Sequence, residues 1–529
     1  MYLQSGLVSF SLICFYYWRV WPEFCLLVPS LLLISLYCKH KHGQVIVRWP
    51  IVSVFPSIFE NMHRIHDWSV DVVNLWGSTI VERRAIFGCF SGLVTCDPGN
   101  IEYILKTNFS NFPKGDDFKE TLDIFGDSLI MDSPSWNDHR RLTRRALMSN
   151  PSRSVISDTC KKVVQDSLVP FLHHAVQKSL IIDLQDVFLR YTFDTSFSVL
   201  FGRSANYLST SLLPNELAQG LDDAMEALFY RNVMPNAYWK FCRRLMIGNE
   251  RKMQKAWKTI DRHLAVHIKA KREDMVKGIA QTSSLLEGDM SNLVRSENDE
   301  VLIQDDKFSR DSAMSFFIGG NDTTGTALTW FFWLVARNLN VEAKILDELN
   351  LIVFSKENFI EQEDRLKTPL VFDINELKDA VYLHAAICES LRLYPPIPHN
   401  RRTSLKQDVL PDGTIVDPGM MIVISMYAAG RMEQVWGKDC LEFKPERWIN
   451  ENGKLNHETM SKFFGFSIGP RSCLGQEMAF VMMKLAASAM IFNFHVEVLV
   501  GQVITPKPSI VLKMKNGLMV RVKERVLHV

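Results

Sequence analysis

The sequence predicts a mainly α-helical fold with small antiparallel β-sheets, built as one large body. Apolar residues recur at helical spacing through most of the chain, and this period is the main signal for helices. The clearest helical segments are residues 183–201, 253–271 and 311–338. We find no internal repeat and no strongly biased tract beyond the first sixty residues, in keeping with a single large body.

Strand signals are concentrated late in the chain. Pro411-Asp412-Gly413 is a turn sequence between residues 409 and 415, and an apolar run follows at 420–426. Asn516-Gly517 is a dipeptide that favours a two-residue hairpin. We therefore expect residues 510–515 to pair with residues 518–523.

Length and charge exclude several classes of protein. A chain of 529 residues is long enough to bury a large core, and its hydrophobic content of 47% excludes wholesale disorder. The net charge of +1 gives no electrostatic reason to expect nucleic acid as a partner. The ten cysteines are scattered without a CxxC pair or zinc spacing, which disfavours a disulfide framework and suits a reducing compartment.

The first forty residues are more apolar than the rest and predict a membrane anchor. Residues 7–18 and 24–38 are apolar runs, and the basic segment Lys39-His40-Lys41-His42 follows them, as expected when the body stays on the cytoplasmic side. A buried N-terminal helix is the alternative. We divide the chain into an anchor at 1–40, a proline-containing linker at 41–59 and a catalytic domain at 60–529.

The strongest motif surrounds Cys473. Phe466, Gly469, Arg471, Cys473 and Gly475 fall within ten residues, directly before the apolar helical run 478–490. Glycines permit a tight turn and close approach of a flat group, and a helix N-terminus favours the thiolate form of a cysteine. A structural cysteine beside a glycine turn is the alternative, but five fixed positions make the pattern specific.

This segment resembles the haem-ligating loop of the cytochrome P-450 superfamily. Glu389-Ser-Leu-Arg392 resembles the Glu-x-x-Arg helix of that family, and Arg447 lies in a segment similar to its Pro-Glu-Arg motif. The resemblance implies the fold of this family as a single large haem domain, haem b with Cys473 as axial thiolate ligand to iron, and a buried network of Glu389, Arg392 and Arg447. Without the resemblance, Glu389 and Arg392 would be interpreted as a surface ion pair.

A second site is indicated by Gly319-Gly320-Asn321-Asp322-Thr323, which interrupts a long apolar helical pattern. Adjacent glycines there cost about 1 kcal/mol each relative to alanine, and such local violations mark functional sites. A helix that merely kinks is the alternative. The resemblance implies that this is the distal helix, with Asp322 and Thr323 as the catalytic acid and alcohol that deliver protons.

Four further residues are candidates for binding the haem propionates. The segment from Trp136 to Arg140 resembles the Trp-x-x-x-Arg motif of the family, and Arg402 and Arg471 fall where arginines reach a propionate. The basic residues that follow Arg140 at 141, 144 and 145 are either a solvated face or a docking surface for an acidic electron donor. The resemblance implies NADPH–cytochrome P-450 reductase as that donor.

The substrate is the least determined point. From about residue 49 onward the chain is most similar to the plant fatty-acid and alkane hydroxylase branch, and segments such as 111–115, 183–190, 328–333 and 436–439 resemble those of midchain alkane hydroxylases. The resemblance implies a lipid-like substrate, O2 as oxidant and an endoplasmic reticulum membrane location with the catalytic domain in the cytoplasm. Relatives in that branch couple phenols in alkaloid synthesis, but their distal motif is degraded, so we rank hydroxylation above phenol coupling. A haem-binding sensor or carrier without turnover is the non-enzymatic alternative.

Overall fold

The computed structural model describes residue 46 and residues 54–82, 92–134, 136–277, 306–354 and 369–525. The predicted anchor and most of the predicted linker lie outside these residues. Within the described ranges, none of the helices combines the length and the apolar character that crossing a bilayer requires.

Helices dominate the amino-terminal part, and polar side chains cap several of them. Asp183 accepts a hydrogen bond from the Gln185 N–H at 3.0 Å, and Asn215 accepts one from Leu217 N–H at 2.9 Å, so each satisfies an N–H group that a helix start leaves free. The helices are α1 Phe55–Glu60, α2 Ile65–Trp76, α3 Pro98–Glu102, α4 Asp116–Thr121, α5 Trp136–Met148, α6 Asn150–Val163, α7 Val169–Gln177, α8 Leu184–Phe201, α9 Glu216–Val233, α10 Asn236–Leu245 and α11 Gly248–Val276.

The carboxyl-terminal part supplies the helices at the centre of the core. Those helices are α12 Asp306–Phe317, α13 Thr323–Arg337, α14 Leu339–Phe354, α15 Val381–Leu393, α16 Met426–Ala429, α17 Glu433–Trp436, α18 His457–Ser461 and α19 Gln476–Asn493. A π turn at Ile318–Asp322 joins α12 to α13, and we call these three segments together the interrupted helix. Helices α13, α15 and α19 are buried on nearly every side, which is the property of central rather than surface helices.

The strands form three small sheets. Their bounds are β1 Thr79–Glu82, β2 Gly92–Thr95, β3 Ile181–Asp183, β4 His399–Thr403, β5 Asp408–Val409, β6 Ile415–Val416, β7 Met421–Ser425, β8 Phe494–Val498 and β9 Met519–Glu524. The orders are β1-β2-β7-β4, β3-β9-β8 and β5-β6. The predicted turn at residues 411–413 does join β5 to β6, and the apolar run after it contains β7. One pairing departs from the antiparallel prediction, because β2 and β7 run parallel.

The predicted hairpin across Asn516-Gly517 is wrong. Strand β9 pairs with β8 and β3, whereas the segment 510–515 makes only the isolated bridge of Met514 to Pro506. The turn instead packs against Asp183, whose carboxylate accepts a hydrogen bond from the Leu518 N–H at 2.8 Å. Strand β9 pairs instead with two strands that are distant in sequence, and a local turn signal carries no information about such strands.

Candidate active site

The Cys473 loop is held by its own backbone and by a close approach to the chain at Leu105. The Cys473 N–H donates to the Phe466 carbonyl at 2.9 Å. Gly469 has a φ of +73°, and a Cβ there would lie 2.0 Å from the Leu105 carbonyl oxygen. A side chain at position 469 is therefore excluded both by conformation and by space, which explains the predicted glycine.

The Cys473 side chain lies in front of α19, as predicted. Burial raises the pKa of the Cys473 thiol, while a hydrogen bond from the Gly475 backbone and the charge of Arg140 lower it. The Cys473 side chain is exposed although protein atoms surround most of it. A side chain that lines an internal cavity has this combination of properties. A Cβ at Gly475 would also meet nothing within 4 Å. The loop therefore places the sulfur of Cys473 beside open space.

The interrupted helix leaves open space at Gly319. A Cβ at Gly319 would meet nothing within 4 Å, whereas one at Gly320 would lie 2.8 Å from the Ser196 hydroxyl. The first glycine therefore leaves space and the second permits close packing against α8. The Thr323 hydroxyl is partly exposed and donates to the Gly319 carbonyl at 2.5 Å, which satisfies an acceptor in the π turn. The predicted helix break is thus a π turn, a feature common at functional sites.

Asp322 is more deeply enclosed than Thr323. It is buried, and its Oδ1 accepts a hydrogen bond from the Asn321 side chain at 3.2 Å, while its Oδ2 faces the Lys513 ammonium at 3.4 Å. Burial raises the pKa of Asp322 above its usual value, and Lys513 offsets part of that shift. The predicted acid and alcohol are therefore adjacent in sequence but have different partners.

A group of cations converges near the Cys473 loop with little negative charge to balance it. Arg402 is 1% exposed and donates to Asn400 Oδ1 at 2.7 Å, and Lys114 donates to the same oxygen at 2.9 Å. The carboxylate facing this group is Asp132, which forms an ion pair with Arg471. Within the described chain, the Nε atoms of Arg402 and Arg471 are buried without a hydrogen-bond partner.

The pKa values of these cations reflect the crowding. Burial lowers the pKa of Lys114 well below its usual value, and the charges of Arg402 and Arg471 lower it further. Burial and Arg471 lower the pKa of Arg402 to about 9. Buried charges are stable only when they are paired, so this group fits anions beyond those that the described residues supply. Two carboxylates of a bound haem would meet that need.

Trp136 and Arg140 lie beside the cysteine loop, and their roles toward a propionate stay predictions. The Trp136 indole N–H donates to the Leu129 carbonyl at 3.0 Å. Its ring lies against the Arg471 guanidinium, 4.1 Å from the ring centre. Arg140 donates to the Ser472 carbonyl in the cysteine loop. Phe466 packs at the edge of the main core, with its ring centre 5.1 Å from that of Phe480.

Glu389, Arg392 and Arg447 are brought together behind the site. Arg392 donates to both oxygens of Glu389, at 2.7 and 2.8 Å, and Arg447 Nε donates to Glu389 Oε1 at 2.7 Å. The Trp448 indole and the Lys444 backbone also donate to this carboxylate, at 2.8 and 3.1 Å. The sequence interpretation did not foresee the last two donors. Glu389 is 0% exposed, so the surface ion pair considered above is excluded.

Three residues of the site region were not predicted: Lys114, Asp132 and Lys513. Lys114 lies in the segment Asn111-Phe112-Pro113-Lys114-Gly115, where a basic residue after a proline has no distinctive pattern. Asp132 and Lys513 interact with partners far along the chain. A local pattern contains no signal for such contacts.

The cysteine loop, the interrupted helix and the Glu389 network together define a haem–thiolate fold, and comparison with known proteins agrees. The family model of cytochrome P-450 matches residues 92–522, and the chain belongs to this family. It is 38% identical to the alkane hydroxylase MAH1 of Arabidopsis thaliana, over 92% of this chain and 95% of that protein. It is 36% identical to noroxomaritidine synthase 2 of Narcissus pseudonarcissus, over 96% of this chain and 97% of that protein. Cytochrome P-450 86B1 of A. thaliana is 36% identical, with 94% and 89% covered.

Membership of this family confirms the predicted fold and the class of enzyme. The protein is a monooxygenase with haem–thiolate iron as cofactor, and it uses electrons that originate from NADPH and arrive through a reductase. A sensor or carrier without turnover is therefore not supported. The relatives fit the plant fatty-acid and alkane branch of the family.

Proposed function

We propose that this protein hydroxylates long aliphatic chains, either alkanes or fatty acids. The observation that carries the proposal is its 38% identity, across 92% of its length, to an alkane hydroxylase. The retained threonine at 323 agrees with oxygen insertion, because its partly exposed hydroxyl can exchange its bond to Gly319 for a bond to a proton-carrying water.

We assign the haem ligands from the contacts described above. Cys473 would hold the haem iron through its sulfur, and the hydrogen bond from the Gly475 N–H would moderate the electron donation of that sulfur. Arg402, Arg471 and Lys114 hold the propionates, because their charges exceed the single carboxylate of Asp132 that faces them. When bound, the haem supplies the activation of dioxygen and the transfer of one oxygen atom to a C–H bond.

Glu389, Arg392 and Arg447 are structural members of this site. They fix α15 to the segment that precedes the cysteine loop, and all their charges are paired only when the three are present. Asp322 supplies protons and Thr323 positions the water that carries them. Gly319 leaves room beside Thr323, because even a methyl group is absent there.

We further propose that the protein is attached to the endoplasmic reticulum membrane through residues 1–40, with the catalytic domain in the cytoplasm. Helix α10 supports contact with a lipid surface, because apolar side chains are exposed along it and just after it, namely Tyr238, Phe241, Leu245 and Ile247. Arg244 in the last turn of the same helix suits an anionic headgroup region. A lipid-like substrate would be concentrated in that membrane.

The reductase docks, in this proposal, on the basic face of α5. An open concavity of about 700 Å³ is lined by Arg140, Arg141, Arg144 and Arg145. Arg140 also contacts the cysteine loop through the Ser472 carbonyl. An acidic partner on this face would therefore lie next to the thiolate side of the site, and complementary charge would speed its encounter.

Phenol coupling is the second candidate, because a noroxomaritidine synthase is 36% identical over 96% of this chain. Product analysis separates the two. Membranes that contain the full chain and a plant reductase are given NADPH with long alkanes, fatty acids or a phenolic alkaloid precursor. Midchain secondary alcohols or hydroxy fatty acids would support the proposal, whereas a coupled phenol with no added oxygen would refute it.

The Cys473→Ala variant provides the control for that assay. Its membranes should lose both product and the red-shifted carbon monoxide band of a thiolate-ligated haem. Retention of that band would remove Cys473 from the ligand position.

A further inference from the structure

A series of alternating positive and negative side chains runs from the interrupted helix to the surface. Lys513 lies between two carboxylates, with its ammonium 2.9 Å from Asp222 Oδ1 and 3.4 Å from Asp322 Oδ2. Asp222 is also 3.3 Å from the ammonium of Lys507, and further ion pairs extend this series of charges along α9 and α11. In order, the charged residues are Asp322, Lys513, Asp222, Lys507, Glu226, Lys252 and Asp223.

Lys513 differs from the other two lysines in burial and in support. It is 5% exposed, and the residue before it is fixed on both sides. The Trp330 indole N–H on α13 donates to the Leu512 carbonyl at 2.6 Å, and the Leu512 N–H donates to the Pro396 carbonyl at 2.9 Å. The backbone next to Lys513 is therefore fixed relative to α13.

Asp322 is held by this charge and not by a full set of hydrogen bonds. Its Oδ2 is buried and has no hydrogen-bond donor in the described part of the chain, although Lys513 lies 3.4 Å away. Lys513 directs its aligned hydrogen bond to Asp222 instead. The Oδ2 atom of Asp322 can therefore still accept a hydrogen bond from a donor such as water.

The partners of Lys513 lie on different elements. Asp322 closes the π turn, whereas Asp222 is on α9. Burial opposes the charge of Lys513, but the two carboxylates raise its pKa above the usual value. Burial opposes ionisation of Asp222 as well, yet Lys513 and Lys507 lower its pKa to about 2. Lys513 therefore keeps its positive charge and Asp222 its negative charge at neutral pH.

We propose that Lys513 is a positioning residue for the oxidation reaction: it orients the Asp322 carboxylate and couples that orientation to the position of α9. The inference rests on the proposed role of Asp322 in proton supply. Lys513 touches neither Thr323 nor Cys473, so it acts through Asp322. Lys507 is the matched control, because it contacts Asp222 and Glu226 but not Asp322.

The test compares Lys513→Met with Lys507→Met in the full-length chain in membranes. Each change removes one ammonium and keeps a side chain of similar length. We expect product formed per NADPH consumed to fall about tenfold in Lys513→Met, with matching release of peroxide, because general acid groups contribute factors of this size or more. Lys507→Met should remain within about twofold of the parent, because its partly exposed ion pairs do not include Asp322.

Hydrogen exchange on substrate-free protein tests the same inference without any substrate. Lys513→Met should speed amide exchange both in residues 216–226 and in residues 317–323, whereas Lys507→Met should affect only the first region. If Lys513→Met loses the thiolate-type carbon monoxide band, Lys513→Gln replaces it, because an amide still donates one hydrogen bond to Asp222.

The outcomes separate this inference from the proposed function. Unchanged coupling in a folded Lys513 variant, or unchanged exchange at residues 317–323, would overturn the positioning role. If the parent protein oxidises none of the aliphatic panel, the proposed substrate class fails, and the exchange experiment alone decides on Lys513. The inference would be supported if Lys513→Met loses coupling while its KM stays normal and if Lys513→Arg retains the coupling of the parent.

Discussion

Removing the charge of Glu389 should destabilise the protein far more than the same change at the surface. The Glu389 carboxylate accepts hydrogen bonds from both guanidinium groups, one indole and one backbone N–H, and it is 0% exposed. In Glu389→Gln, an amide NH2 would face some of these donors, and the buried Arg392 would lose its counter-charge. Breaking a buried pair in this way costs about 3–5 kcal/mol, a large part of the 5–15 kcal/mol that typically stabilises a protein.

Glu446→Gln is the matched control, because it lies near Arg447 but at the surface. Its side chain is 42% exposed and pairs with Lys344 at 2.5 Å and with the Tyr382 hydroxyl at 2.8 Å. We expect a loss of no more than about 1 kcal/mol there. The assay is the fraction of thiolate-type carbon monoxide band that survives incubation at increasing temperature and in increasing urea. Equal survival of the two variants would refute the reasoning about burial.

Three further predictions concern turnover, docking and pH. Thr323→Ala should lower product per NADPH by about tenfold or more and release peroxide, and unchanged coupling would count against the role of Thr323. Arg144→Glu should raise the KM for reductase at low salt, with the difference shrinking as ionic strength screens the charge; a salt-independent effect would contradict docking on α5. Burial lowers the pKa of His384 to about 4, so its contribution to stability is present above pH 6.5 and is lost as the pH falls towards 4. Between pH 7 and pH 5, the free energy of unfolding of His384→Phe should therefore fall less than that of the parent, by on the order of 2 kcal/mol. An identical pH dependence of unfolding in the two proteins would argue against the lowered pKa of His384.

The cysteine loop could be predicted from sequence because its determinants are local. Five positions within ten residues define the turn, the proposed iron ligand and the start of α19, and the structure shows why Gly469 must be a glycine. Glu389 and Arg392 are three positions apart on one helix and so face the same way. Resemblance to a family was still needed to place this pair in the core, because the same spacing is ordinary at a surface.

The balance of charge around the site could not be predicted in the same way. Asp132 and Arg471 are far apart in sequence, and only the fold shows that one carboxylate faces several cations. Lys513 lies in a segment that the Asn516-Gly517 turn wrongly assigned to a hairpin. In each case the decisive partner belongs to a distant element, and local patterns do not encode distant partners.

The parallel pairing of β2 with β7 has a consequence for synthesis of the chain. Gly92 pairs with Met421, which is made 329 residues later. At about 5–20 residues per second, the ribosome takes roughly 15 to 65 s to make that stretch, and β1 and β2 lack this neighbour throughout. Cys473 emerges later still. The amino-terminal strands must therefore be kept from aggregating during translation, and haem is captured by a nearly finished chain rather than a nascent one.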